Sequence, residues 1–285
     1  ERTSFSKILS LMNSTKRELP FRRYLAFSRA SFLATLTFRA SLLLSLGGSL
    51  IYTAVVCFLW KSIFNSAGTE IVNGMTYPMT LAYVAIAGAV TSSMTIYLVW
   101  DIGRDIQSGT IALWFVKPLD YFTMNLFNSV SVIVFSFFIN VVPVFILVEI
   151  LVGWQIPFGI NILWFVLSVF LGVIINFCLD FMVGTICLHT QSIWGINIMK
   201  EVVVSVLSGV TVPLAFFPDA LRQVMMFLPF QAIFNTPLTL MITPNPSTEL
   251  LIRSFSIQIF WIIVLVIAAK SFFKVSSRVI TINGG

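Results

Sequence analysis

With 285 residues, 58% of them hydrophobic, 28 phenylalanines and a mean hydropathy of +0.98, the chain is too apolar to be a water-soluble globule of its size. Its net charge of +6 is modest. The basic N-terminus comes without any folded nucleic-acid reader, so no nucleic-acid partner is expected and an all-α polytopic membrane protein is.

A spanning helix needs about 20 apolar residues, and six windows qualify, near 42–62, 78–99, 124–151, 162–188, 195–217 and 250–272. Residues 1–41 precede them as a cytoplasmic N-terminal segment. Within it, Pro20 marks a break, and from Tyr24 to Ala40 the side chains of Leu25, Phe32, Leu36 and Ala40 share one face. Arg22, Arg23, Arg29 and Arg39 are then available to anionic headgroups. The pattern predicts an N-terminal interfacial helix turning up into the first span, or else a straight extension of that span. A cleavable secretory signal is not expected, because about 40 polar and basic residues precede the first apolar run.

Gly47-Gly48-Ser49 in the first span would let another helix approach closely, or would serve as lipid-facing filler. The loop from Asn65 to Pro78 is too short to be a binding domain. Span two carries Gly88, Ala89, Thr91, Ser92, Ser93 and Thr95, a small polar face that either packs tightly or lines a pathway.

Between spans two and three stands WDIGRDIQSGTIALWFVKPLDY, Trp100 to Tyr121. Charged residues are 10% of the chain, yet Asp101, Arg104, Asp105, Lys117 and Asp120 all fall here. At helical spacing, Val99, Ile102, Ile106, Leu113 and Val116 form a single apolar stripe opposite Asp101, Arg104, Asp105 and Ser108. Gly109 can break or bend the helix, and Pro118 disfavours helix at Lys117. A surface helix results, either an ordinary interfacial one or one that receives force from another protein.

Span three contains Pro143 with Asn140 about one turn earlier, predicting a kink, and Glu149 near its outer end, where a carboxylate can reach water. Trp154 and Pro157 mark the next loop. Spans four and five each carry a charge inside the apolar run. If the loop between them centres near Gln191, Asp180 and Lys200 lie at similar depth in an antiparallel hairpin. The cost of an isolated charge in the bilayer then favours an intramembrane ion pair, with snorkelling of Lys200 as the alternative.

Span five runs into LSGVTVPLAFFPDALRQVMMFLPF, Leu207 to Phe230. Gly209, Pro213 and Pro218 weaken the helix, and a short amphipathic helix follows with Asp219, Arg222 and Gln223 on one side. A segment too short to cross and too apolar for water is placed as a re-entrant or interfacial lid over 217–235. Span six ends in Lys270, Lys274 and Arg278, with a cytoplasmic tail over 273–285. The transmembrane domain as a whole is 42–272.

An even number of spans puts both termini on one side. Fourteen basic residues then share that side with the 100–121 segment, against Lys61, Arg222 and Arg253 on the other. The positive-inside rule therefore assigns both termini and that segment to the cytoplasm.

Cys57, Cys178 and Cys187 have no metal-site or redox spacing, so they read as small buried apolar residues. His189, the single histidine, reads as a loop residue, and one histidine excludes an HExxH site. No metal site and no GxSxG elbow are present. The absence of any Gly-Lys dipeptide removes a Walker A loop, so no ATPase site is expected in this chain and it is not read as an enzyme.

DIQSG followed by LWFVKPLDY (Asp105 to Gly109, Leu113 to Tyr121), together with LSGxxxPLxFFPxxLxxVxxFLPF (Leu207 to Phe230), resembles the type-2 ATP-binding-cassette exporter permease family, in its bacterial six-span form. Arg104 stands where members often have an acidic residue. The resemblance runs through most of the chain from about Tyr24, and Gly284-Gly285 also fits it.

It implies a permease subunit of the bacterial cytoplasmic membrane that pairs with a second permease, identical or related. Two ATP-binding-cassette ATPase copies would dock beneath, with ATP and Mg held there and no cofactor in this chain. The coupling residues would be Asp101, Arg104, Asp105, Ile106, Ser108, Gly109, Leu113 and Lys117. The translocation pathway would include Ser92, Ser93, Thr95, Thr211 and a Phe216-Phe217 outer gate, those rings being equally explained by lipid-facing packing. The expected activity is efflux of an amphipathic or lipid-like substrate or drug through the membrane. An ion-coupled secondary transporter and a non-transporting scaffold or immunity permease are the alternatives.

Overall fold

The computed structural model describes residues 24, 28–29, 31–33, 39–94, 97–116, 119–153, 159–190 and 193–279. Thr95, Lys117, Pro118, Trp154, Pro157, Gln191 and the Gly284-Gly285 end therefore lie outside the described residues, as does most of the 1–41 segment. Ten helices and one hairpin are described. They are α1 (Arg39–Ala67), the strands β1 (Ile71–Val72) and β2 (Met75–Thr76), α2 (Tyr77–Met94), α3 (Leu98–Gln107), α4 (Ile111–Val116), α5 (Tyr121–Val152), α6 (Ile160–Ile186), α7 (Trp194–Leu207), α8 (Asp219–Phe227), α9 (Asn235–Ile242) and α10 (Thr248–Ser276). Short 3-10 turns at Leu214–Phe216 and Pro229–Ala232 flank α8.

Among the described residues, five stretches are long and apolar enough to cross a membrane: Leu43–Ala67, Tyr77–Gln107, Tyr121–Val152, Ile160–Ile186 and Thr248–Ser276. They correspond to predicted windows one, two, three, four and six. The window at 195–217 is helical only over Trp194–Leu207, 14 residues. At about 1.5 Å per residue that helix is shorter than the hydrocarbon layer. Gly209, in the left-handed region, and Pro213 follow its end.

The core is built around α2. Three-quarters of its apolar window is buried, 75% against 17% to 44% for the other four long stretches. Of its small polar face, Ser93 is used for packing: its hydroxyl, 1% exposed, donates to the Ala89 carbonyl (2.8 Å) and to that of Ser136 in α5 (3.2 Å). α5 continues through Pro143 as one helix. Its Asn140, fully buried, accepts from Ser45 (3.1 Å) and Ser49 (3.2 Å) of α1. Among the described residues nothing lies within 4 Å of a Cβ placed on Gly47 or Gly48, so no close helix approach is made at them there.

Glu149 does not reach water. It is 1% exposed, although helical spacing sets it between the exposed Phe138 and Val142, on the flank of α5 beside the stripe of Phe137, Val141, Val144 and Val148 that packs into the core. Near the N-terminus, Tyr24 stacks on Phe127 and Phe32 meets Phe135 edge-on. Ser28 and Ser31 donate to the Phe127 carbonyl and the Asn128 side chain. The described residues before α1 thus follow the axis of α5 from 120 to 135, one i, i+4 face against one helix.

One end of α6 meets α9, where Asn161 Nδ2 donates to the Met241 carbonyl at 2.6 Å. Its middle receives the turn before α9: a Cβ on Gly172 would stand 2.7 Å from the Ile233 carbonyl oxygen. The segment 229–242 therefore reaches roughly half-way along α6 and returns. The obstructing atom is backbone, so Gly172→Ala is expected to wedge the two apart at about 1–3 kcal/mol. Thermal unfolding of the purified protein in detergent checks this, and an unchanged midpoint would refute it.

Candidate functional site

The amphipathic segment between α2 and α5 is two helices, α3 and α4, separated at Ser108–Thr110, where Gly109 has φ +73°. A left-handed glycine ends α3 cheaply. The Ser108 hydroxyl donates to the Arg104 carbonyl at 2.7 Å, closing the last turn. The break also resets the helical phase. Val99 and Ile102 are buried as the spacing predicts, but beyond the break Ile111 faces inward and Leu113 is 60% exposed. The single predicted stripe is thus two, and the side chain of Val116 lies outside the described residues.

α3 sits in a cradle at the far end of α6. Ile102 packs against Gly184, where a Cβ would come within 3.0 Å of Ile102 Cβ. Val99, Val183, Cys187 and Ile193 form an apolar cluster there, and Ile106 packs against both this cluster and the main core. Burial pushes the Cys187 thiol up from its ordinary value, with a hydrogen bond from Gln107 opposing.

The other face is polar and open. Asp101 and Arg104 are exposed and paired with each other one turn apart. Asp105 instead reaches inward, accepting from the Tyr121 hydroxyl at 2.8 Å. That tyrosine stacks on Phe273 near the end of α10 and contacts Trp114 of α4. Asp120 caps α5 by accepting from Thr123 N (3.1 Å), and Lys270 of α10 donates to it at 2.9 Å. Burial raises the Asp120 carboxyl, but Thr123 and Lys270 outweigh it and hold the group below its ordinary range. Its stabilising contribution is present above the unfolded-state value and is lost as pH falls through the lowered folded one. α3 and α4 are thus tied by side chains to α5, α6 and α10.

Asp180 of α6 and Lys200 of α7 lie 2.5 Å apart, with side chains 5% and 10% exposed. Asn176 donates to the second Asp180 oxygen at 3.1 Å, and Lys200 also reaches Glu201 at 2.6 Å. A cavity of about 70 Å³ adjoins the group, lined by Thr91, Asn176, Asp180, Glu201, Ser205 and Phe234 among others. Thr91 lies at this cavity, whereas Ser93 is engaged in helix packing and Ser92 is half-buried. Thr211 is exposed, Phe217 half-buried, and Phe216 lies 4.9 Å from the Trp60 ring of α1. Of the pathway residues named from sequence, Ser93 and Phe216 thus make packing contacts within this chain, Thr211 is exposed and Thr95 lies outside the described residues.

Three connections escaped the sequence: Asp105 with Tyr121, Asp120 with Lys270, and Gln258 of α10, whose side chain bonds Ser168 of α6 and the Ala232 carbonyl. Only Gln258 carried a signal, as an amide in the middle of an apolar run.

Long apolar helices around a buried α2, with an amphipathic helix pair set between two of them, define a multi-pass integral membrane protein. The chain belongs to the ABC-2 transporter family: the profile for ABC-2 family transporter proteins matches residues 50–284. It is thus the permease type of subunit, a membrane transport component whose family works with ATPase subunits. Comparison with curated proteins finds no match.

Proposed function

We propose that the chain is the permease half of an exporter that moves an amphipathic or lipid-like substrate outward on ATP hydrolysed by two separate ATPase copies. A second permease, identical or related, completes the pathway. The observation that carries this reading is the α3–α4 pair: the apolar face of α3 is locked on Gly184 and Ile193 while Asp101 and Arg104 of α3 and Leu113 of α4 are presented outward. A rigid lever needs that division between a seated face and a free one.

In this reading α3 and α4 face the bacterial cytoplasm together with both termini, and ATP and Mg are bound by the partner. The 195–217 stretch completes a sixth crossing through α7 and the irregular chain after it, and 217–235 forms the re-entrant lid. The charged interior group at Asp180 and Lys200 is internally satisfied, which suits a structural tie between α6 and α7 better than ion coupling.

Leu113 is the cleanest probe of docking, because Ile106 also packs on the core and its loss would confuse docking with folding. Leu113→Asp is expected to weaken ATPase co-purification at least about tenfold, as loss of an interface anchor does. Membrane insertion and thermal midpoint should stay at wild-type values. An ATPase that remains bound and coupled to Leu113→Asp would refute the assignment.

A further inference from the structure

At the end of the molecule away from α3, a cavity of about 330 Å³ lies between α2, the 213–242 segment and α10. That is within the range of small-ligand sites, about 300–1,000 Å³. Arg222, half-buried, and Arg253, exposed, line it, which places them at the rim. Gln231 and Asn235, 3% and 9% exposed, form the floor.

The polar groups are one-sided in their chemistry. Asn235 Oδ1 accepts from the Tyr83 hydroxyl at 3.2 Å, and Gln231 Oε1 accepts from Thr236 at 2.8 Å. Both amide oxygens are therefore occupied, and the amide NH2 groups remain as donors. No acidic residue is among those lining the cavity. Asp219 pairs with Arg222 at 2.7 Å, but its side chain is 81% exposed and turned to water. Among the described residues Arg253 has no ion pair. Two guanidiniums above two amide donors match a phosphate or carboxylate, with Arg favouring bidentate contact. Leu214, Met226 and Ile257 supply apolar wall below the charges.

We infer that this cavity binds an acidic amphiphile, its anionic headgroup held by Arg222 and Arg253 and its acyl chain along the apolar wall. A lipid rather than a free anion is the occupant, because the donors stand over an apolar chamber that a hydrated ion would leave unfilled. The inference deepens the export reading by naming the charge of the amphiphile, and it rests on that reading only for which leaflet supplies it.

Binding is measured without ATPase, so a failure of the export reading leaves the result intact. Purified full-length chain in neutral detergent is titrated with phosphatidylglycerol, phosphatidylcholine of the same acyl chains, and inorganic phosphate, and retained lipid is counted by native mass spectrometry. Phosphatidylglycerol is expected to be retained about tenfold or more over phosphatidylcholine, and Arg222→Gln with Arg253→Gln to remove that preference. Lys61→Gln, at a different surface depression, should leave it. Should the double variant fold poorly, Arg253→Gln alone, at an exposed position, is expected to reduce the preference by several fold. Equal retention of the two lipids, or a preference that survives loss of the arginines, overturns the proposal. Displacement by inorganic phosphate at lipid-like concentration overturns it equally, since that would define an anion site without a chain.

Discussion

Lys200→Met is expected to be among the most destabilising single changes in the chain, of order 3–5 kcal/mol, because it leaves the buried Asp180 carboxylate without its cation. Asn176 would remain as its hydrogen-bond donor, too little for a charge that is 5% exposed. The reverse change is expected to be milder. In Asp180→Asn, Lys200 keeps Glu201, which is 60% exposed and can follow it toward water. The double change Asp180→Asn with Lys200→Met should recover most of the loss, since a neutral, well-packed pair avoids the desolvation that both ions suffer. The order of thermal midpoints in detergent, with Lys200→Met lowest and the double variant well above it, is the check. If Lys200→Met and Asp180→Asn melt together at the wild-type midpoint, the pair does not tie α6 to α7.

That pair was legible because both charges interrupt apolar runs at equal distances from a turn, and antiparallel geometry does the rest. The long helices were legible for the same reason, length times rise against the thickness of a bilayer. Where residues had to be placed on faces, local pattern was weaker. Gly109 was identifiable as a break, but the rephasing it imposes, which buries Ile111 and exposes Leu113, requires knowing that the break is left-handed. Glu149 illustrates the converse failure. Its type argues for water and its phase sets it beside the exposed Phe138 and Val142, yet it is buried, so neither local signal foretells its place. The 195–217 stretch has spanning composition, yet its helix stops at Leu207 ahead of Gly209 and Pro213. Contacts between distant segments, such as Asp120 with Lys270, leave no periodic trace and emerge only from the packing.

Gln258→Leu is expected to release the turn at Pro229–Ala232 from the body of the protein. The amide is fully buried and makes three bonds: Nε2 donates to the carbonyls of Ser168 and Ala232, both at 2.9 Å, and Oε1 accepts from the Ser168 hydroxyl at 3.0 Å. Ser168 lies within a helix, where its carbonyl has a backbone partner available. Ala232 closes a 3-10 turn half-way along α6, and irregular backbone at such depth is tolerated only when protein groups satisfy it. Leucine matches the shape and removes the donor, so the orphaned carbonyl should cost about 1–3 kcal/mol. The loss should be local. Hydrogen exchange at Phe230–Asn235 is expected to accelerate while α2 and α5 stay protected. Because Gln231 and Asn235 form the floor of the arginine-rimmed cavity, Gln258→Leu should also weaken retention of phosphatidylglycerol although Gln258 does not line the cavity. The arginine changes should do so with exchange in the turn unaltered. Unchanged exchange at Phe230–Asn235 in Gln258→Leu would show that Gly172 packing alone seats the turn, and that the amide is dispensable to it.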